Sequence, residues 1–148
     1  MTDTADDLLA DARSSIELLL PADYAEVVHG KLYLMGAGWG AFQPPAYPAV
    51  LRMSVAVAVR IPYLDAGRPH ALALTLVDAD GAELLRLDGT IETSRPPDTR
   101  GDPVLVPLAL NVQVELAGPR ALELIARVDG GPAHRYPIRA QPARGQGA

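Results

Sequence analysis

A chain of 148 residues with 49% hydrophobic and 21% charged side chains has the length of one domain, enough apolar material for a core, and too much of it for global disorder. Its net charge is -5, its cations are scattered and Lys31 is its single lysine, so the clustered Lys and Arg of a nucleic-acid binder are missing. The absence of cysteine removes disulfides, thiolate catalysis and cysteine-ligated zinc, and tilts the expected compartment towards a reducing one.

The N-terminus is acidic through Asp7, whereas a signal peptide needs a positive start and a long apolar stretch. No segment approaches the ~20 apolar residues of a membrane helix. We therefore expect a soluble, cytoplasmic protein. Residues 4–20 admit two readings. Leu8, Leu9, Ala12, Ile16, Leu19 and Leu20 fit helical spacing, with Thr4 or Asp6 as the cap. The other reading is an acidic tail to about Arg13 and then a strand over 16–20, and Pro21 is expected to stop either.

Val27 and Val28, the pair His29-Gly30 and the run 31–35 make a hairpin signal. Gly36, Gly38 and Gly40 surround Trp39 and permit positive φ or close backbone approach. They do not make a phosphate loop, because Gln43-Pro44-Pro45 follows instead of a helix start. A proline-rich connector over 43–49 leads to the long strand 51–61. There Leu51, Met53, Val55, Val57, Val59 and Ile61 alternate with Arg, Ser or Ala, the period of a strand with one buried face.

After a loop over 62–69, residues 70–77 place Leu72, Leu74 and Leu76 on one face. Asp78-Ala79-Asp80-Gly81 turns the chain, 84–93 returns, and 94–102 is a polar loop. Residues 104–116 alternate again, over roughly 40 Å at about 3.3 Å per residue, a length too great for one small sheet. Pro107, lacking an N–H, marks a bend or an edge position in it. Gly118-Pro119 turns the chain into a last hairpin, 121–128 and 133–139 about Asp129-Gly130-Gly131. The expected architecture is an all-β, immunoglobulin-like antiparallel sandwich of seven to nine strands. It occupies 15–140, between an acidic N-terminal tail or short helix over 1–14 and a mobile C-terminal tail over 141–148. No connection holds a crossover helix, which excludes a parallel βαβ fold.

Several motifs, in order, resemble an uncharacterised family of short bacterial proteins. They are Gly30-Lys31-Leu32, Gly36, Gly38-Trp39, Pro48 and Val77-Asp78-Ala79-Asp80-Gly81, and the likeness spans 16–139. The resemblance implies an immunoglobulin-type sandwich with no established activity, and it favours the strand reading of 18–20. That family's closing segment carries an aromatic residue soon after a turn glycine, where this chain has Arg120 after Gly118-Pro119.

Candidate chemistry is sparse. Asp78-Ala79-Asp80-Gly81 opens like a calcium loop, but the twelfth residue is Gly89 rather than Glu, so a hairpin turn is expected. His29, His70 and His134 lack metal-ligand spacing and lie near turns, so solvated or rim histidines are expected. Ser14, Ser15, Ser54 and Ser94 lie in no nucleophile elbow, and Ser54 falls on the polar face of a strand. The carboxylates Asp65, Glu92, Asp98 and Asp102 lie on loops that sequence cannot place relative to one another. Trp39, Phe42 and Tyr47 flank Pro44-Pro45, as a partner-recognition patch or as a plug for an open sandwich end. We expect a non-catalytic intracellular interaction or assembly module. It takes no cofactor or metal, binds a protein partner or itself, and contacts neither nucleic acid nor membrane. The alternative is a small-ligand or carbohydrate-binding domain with Trp39 and Tyr47 as stacking platforms.

Overall fold

The structure, a computed structural model, describes residues 12–95, 97 and 100–145. The helix-or-tail question over 1–14 falls mostly outside the described residues. Among these residues nine strands follow in order: β1 Ser15–Val28, β2 Lys31–Ala37, β3 Ala41–Phe42, β4 Ala49–Ile61, β5 His70–Asp78, β6 Glu83–Ile91, β7 Val104–Leu116, β8 Arg120–Val128 and β9 His134–Ala140. One 3₁₀ turn, Tyr63–Asp65, is the only helical element among the described residues. No described helix is long and apolar enough to cross a membrane.

The strands form two sheets, β2-β1-β4-β7 and β3-β9-β8-β5-β6. The fold is the expected all-β, immunoglobulin-like sandwich. Its strand pairs are antiparallel except β3–β9, which is parallel. The two-residue β3 had no sequence signal, because a strand that short has no period to detect.

Alternation builds the core. In β4, Leu51, Met53, Val55, Val57, Val59 and Ile61 are buried, and Leu72, Leu74 and Leu76 of β5 with Leu122, Leu124 and Ala126 of β8 face them. Each fully buried Val, Leu or Ile contributes roughly 1.5–3 kcal/mol relative to exposure. The even positions of β4 were expected to be open, yet Ser54 and Ala56 are buried as well. Register explains it: Leu20, Ala56 and Ala109 form one cross-strand row, and Ala22, Ser54 and Asn111 the next. A small side chain in the middle of a row is covered by its neighbours. The Ser54 hydroxyl donates to Asn111 Oδ1 at 2.7 Å within that row.

Two length expectations need correcting. β7 is not too long for its sheet, because β4 pairs with it from Ala49–Leu116 to Ile61–Val104. Pro107 sits on this edge strand, where a missing N–H is tolerated. Pro21 does not end β1: the strand runs through it to Val28, with Pro21 buried opposite Val55. The reason is a change of partner. β1 pairs with β4 only as far as Ala22, and from Ala22 onwards with β2, so the proline lies at the end of one ladder.

The turns follow the backbone chemistry of their residues. His29 and Gly30 both have positive φ, at 50° and 72°, the requirement of a two-residue type I′ hairpin. Asp129 and Gly130 repeat it at 51° and 65°, closed by the Gly131 N–H donating to Val128 O at 2.9 Å. The Asp78 carboxylate accepts the N–H groups of Asp80 and Ala82 at 2.9 and 3.0 Å, which makes this segment a capped hairpin turn. Beyond Ala140 the chain does not leave the domain as expected. Ala143 is buried and the Arg144 N–H donates to Pro44 O at 3.0 Å, so the packed unit extends past 140. These anchors are main-chain bonds, which a Gln, Pro, Ala, Arg and Gly composition does not advertise.

Candidate partner-binding surface

The connector aromatics gather at the end of the sandwich where β4 begins. Trp39, Phe42 and Tyr47 are half-buried against the core, as a plug would be. Main-chain bonds stitch the segment down: Arg139 N–H to Gly40 O and Gln141 N–H to Phe42 O, both 2.8 Å. The Tyr47 hydroxyl donates to Gln141 O, and that of Tyr136 to Trp39 O. Burial pushes the Tyr47 phenol above its ordinary value. The indole N–H of Trp39 is buried and meets no acceptor among the described residues.

Beside this plug lies a cleft of about 740 Å³. Trp39 and Phe42 line it together with Pro44 and Pro48, whereas Tyr47 does not. Its charged members are Asp23, Arg52 and Arg144. Of the three sequence candidates, the structure therefore brings two into one concavity and commits the third to holding the chain end.

The β1–β2 hairpin is a second surface, and the sequence reading missed it. Past Ala22 it parts from β4, and register places Tyr24 opposite Met35 and Glu26 opposite Tyr33. Met35 is 68% exposed, Tyr33 51% and Tyr24 50%, with Val28 further along the same face. Single exposed apolar side chains are ordinary, but here they are grouped by cross-strand pairing. The Tyr24 hydroxyl donates to Glu26 at 2.9 Å, and that bond, with the carboxylate's charge, raises the phenol's pKa. The available signal was the run Leu32-Tyr33-Leu34-Met35, which is apolar on both faces of a strand.

At the opposite end, His70 corrects an expectation. Its side chain is fully buried, not at a rim, while His29 and His134 are exposed as expected. Nδ1 donates to Asp129 Oδ2 at 2.6 Å and Nε2 to Asp65 O at 2.9 Å. Asp129 Oδ1 accepts the Ala71 N–H at 2.9 Å, and Asp65 pairs with Arg68 at 3.0 Å. Burial pushes the Asp129 carboxyl up, but the bonds from His70 and Ala71 and the charges of His70 and Arg68 outweigh it and hold the group below its ordinary value. Ser14 Oγ lies 3.4 Å from the same Nδ1 that meets Asp129. In a nucleophilic relay the serine and the carboxylate use different ring nitrogens, so these three do not form one. Asp98 lies outside the described residues, and no described group of three or more His, Asp or Glu could hold a metal ion.

What these elements define is an immunoglobulin-like sandwich with an aromatic cleft at one end and an apolar hairpin projecting beside it. Residues 17–141 match a family of unknown function (DUF6941), and the chain belongs to that family. No curated protein matches the sequence. Among solved structures, the chain is similar to a bacterial adhesin from Mobiluncus mulieris containing intramolecular disulfide, isopeptide and ester bond cross-links. The identity is 13% and the TM-score 0.41, over 91% of this chain and 50% of that one. The chain thus spans about half the length of that adhesin chain.

Proposed function

We propose that this domain is a non-catalytic interaction module that docks on another protein through the exposed face of its β1–β2 hairpin. The observation that carries the reading is the cross-strand group Tyr24, Met35 and Tyr33, each at least half exposed on an edge of the sheet. Tyr and Met are enriched where proteins meet, and two aromatic rings with a flexible thioether make an adaptable contact. The cysteine-free composition fits a role in a reducing compartment such as the cytoplasm. A carbohydrate-binding role is less well supported, since Tyr47 does not line the cleft and its hydroxyl is engaged.

The test compares the wild-type chain with a Tyr33→Thr/Met35→Thr double variant, both immobilised and challenged with native lysate. Light scattering at rising concentration measures self-association in parallel. Interface anchors of this type cost about 2 kcal/mol or more when truncated. The double variant should therefore lose the retained protein, or the dimer, while keeping its thermal midpoint. A wild type that stays monomeric and retains nothing beyond the double variant contradicts the reading.

A further inference from the structure

We propose that the cleft beside β4 receives an extended peptide segment carrying an acidic side chain, held by strand addition to the open edge of β4. This rests on the reading that the chain binds proteins, but it uses a different surface from the hairpin.

β4 pairs with β7 along its whole length, yet its pairing with β1 stops at Ser54 opposite Ala22. Along 49–53 the other edge of β4 meets no strand among the described residues. Successive side chains of a strand point to opposite faces. Ala49, Val50, Leu51 and Arg52 nevertheless all line the cleft, so the strand presents its edge there rather than a face. An edge offers alternating N–H and C=O groups that an extended chain can pair with. The open stretch is roughly 16 Å long at about 3.3 Å per residue, room for a peptide of about five residues.

The surroundings say what kind of peptide fits. Trp39, Phe42 and Pro44 supply an apolar wall for one face of the added strand. Arg52 and Arg144 outnumber Asp23, which makes this a locally positive site on a chain of net charge -5. An acidic side chain complements it. Two arginines without a wider basic patch are too few for nucleic acid, which needs many phosphate contacts.

Trp39 is the single tryptophan of the chain, so its fluorescence reports on the cleft directly. The probe is a synthetic pool of capped seven-residue peptides, randomised except for a central Glu. One matched pool carries a central Lys, and another is N-methylated at alternate amides. The Glu pool should change the emission saturably, about threefold to fivefold more tightly than the Lys pool, the scale of an exposed charge pair. The N-methylated pool should not bind. Arg144→Glu, an exposed position whose guanidinium also donates to Gln43 O at 3.2 Å, should reverse the charge preference in a chain that circular dichroism shows to be folded. No saturable change, equal affinity for the Glu and Lys pools, or binding that survives N-methylation overturns the proposal. The hairpin double variant should bind the Glu pool as the wild type does, and a loss there also counts against a separate cleft site. Failure of the cleft is therefore distinguishable from failure of the hairpin.

Discussion

Asp129 ties two loops of the sandwich together through His70 and the Ala71 N–H, and its ionisation carries a testable consequence. Its carboxyl is held below the ordinary value of 3.8 in the folded state. A group depressed by folding contributes stability that is present above the unfolded value and lost as pH falls through the folded one. Below about pH 4 the thermal midpoint should thus fall, and Asp129→Asn should flatten that acid limb in a calorimetric pH series. An acid limb identical in wild type and Asp129→Asn would rule out this account of the His70 cluster. Glycine makes a second prediction. Gly36 has φ +62°, and a Cβ there would collide with the Asp23 carboxylate. Gly36→Ala should cost about 1–2 kcal/mol by urea unfolding, the left-handed penalty for a residue with a Cβ. Gly89→Ala, with ordinary φ and nothing within 4 Å of the new Cβ, should be neutral or stabilising by up to about 1 kcal/mol. Gly36 was legible in the sequence as a position open to positive φ, because that is a local demand. The burial of His70 was not, because its partner lies 59 residues away and no local pattern encodes that meeting.

Strands were readable in proportion to their period. β7 alternates over its 13 residues and β4 over 51–61, so the sequence placed β7 to the residue and β4 to within two residues at its start. A charge in that stripe should abolish folding: Val57→Asp puts a carboxylate at a fully buried site of a domain whose margin is about 5–15 kcal/mol. The milder Leu124→Ala should cost about 2–5 kcal/mol, with the spread set by how far the cavity closes. Circular dichroism and urea unfolding measure both, and a folded Val57→Asp variant would contradict the buried-stripe reading. Where the period failed, the reading failed. β1 passes through Pro21 because it changes partner there, and a change of partner has no signature in one strand's own residues. The hairpin face was missed for a related reason. Leu32-Tyr33-Leu34-Met35 is apolar on both sides, so the side that faces no core emerges only once β2 is known to be an edge. The connector aromatics were found because Trp, Phe and Tyr among prolines are conspicuous, but sequence cannot separate the two that line a cleft from the one that fastens the chain end.

For the whole molecule, the two sheets bury most of the described aliphatic side chains, and the cleft and the hairpin lie together at one end of the sandwich. The hairpin bears the larger exposed group, and the functional reading depends on something covering it. Hydroxyl-radical footprinting of the full chain, once purified and once in native lysate, measures that cover at the side chains concerned. Leu64, 81% exposed on the 3₁₀ turn, serves as an internal reference at the far end of the sandwich. We predict that Tyr24, Tyr33 and Met35 become protected in lysate while Leu64 stays as reactive as before. Equal labelling of the three hairpin side chains in both samples would show that face bare where it should be occupied, and would contradict the account.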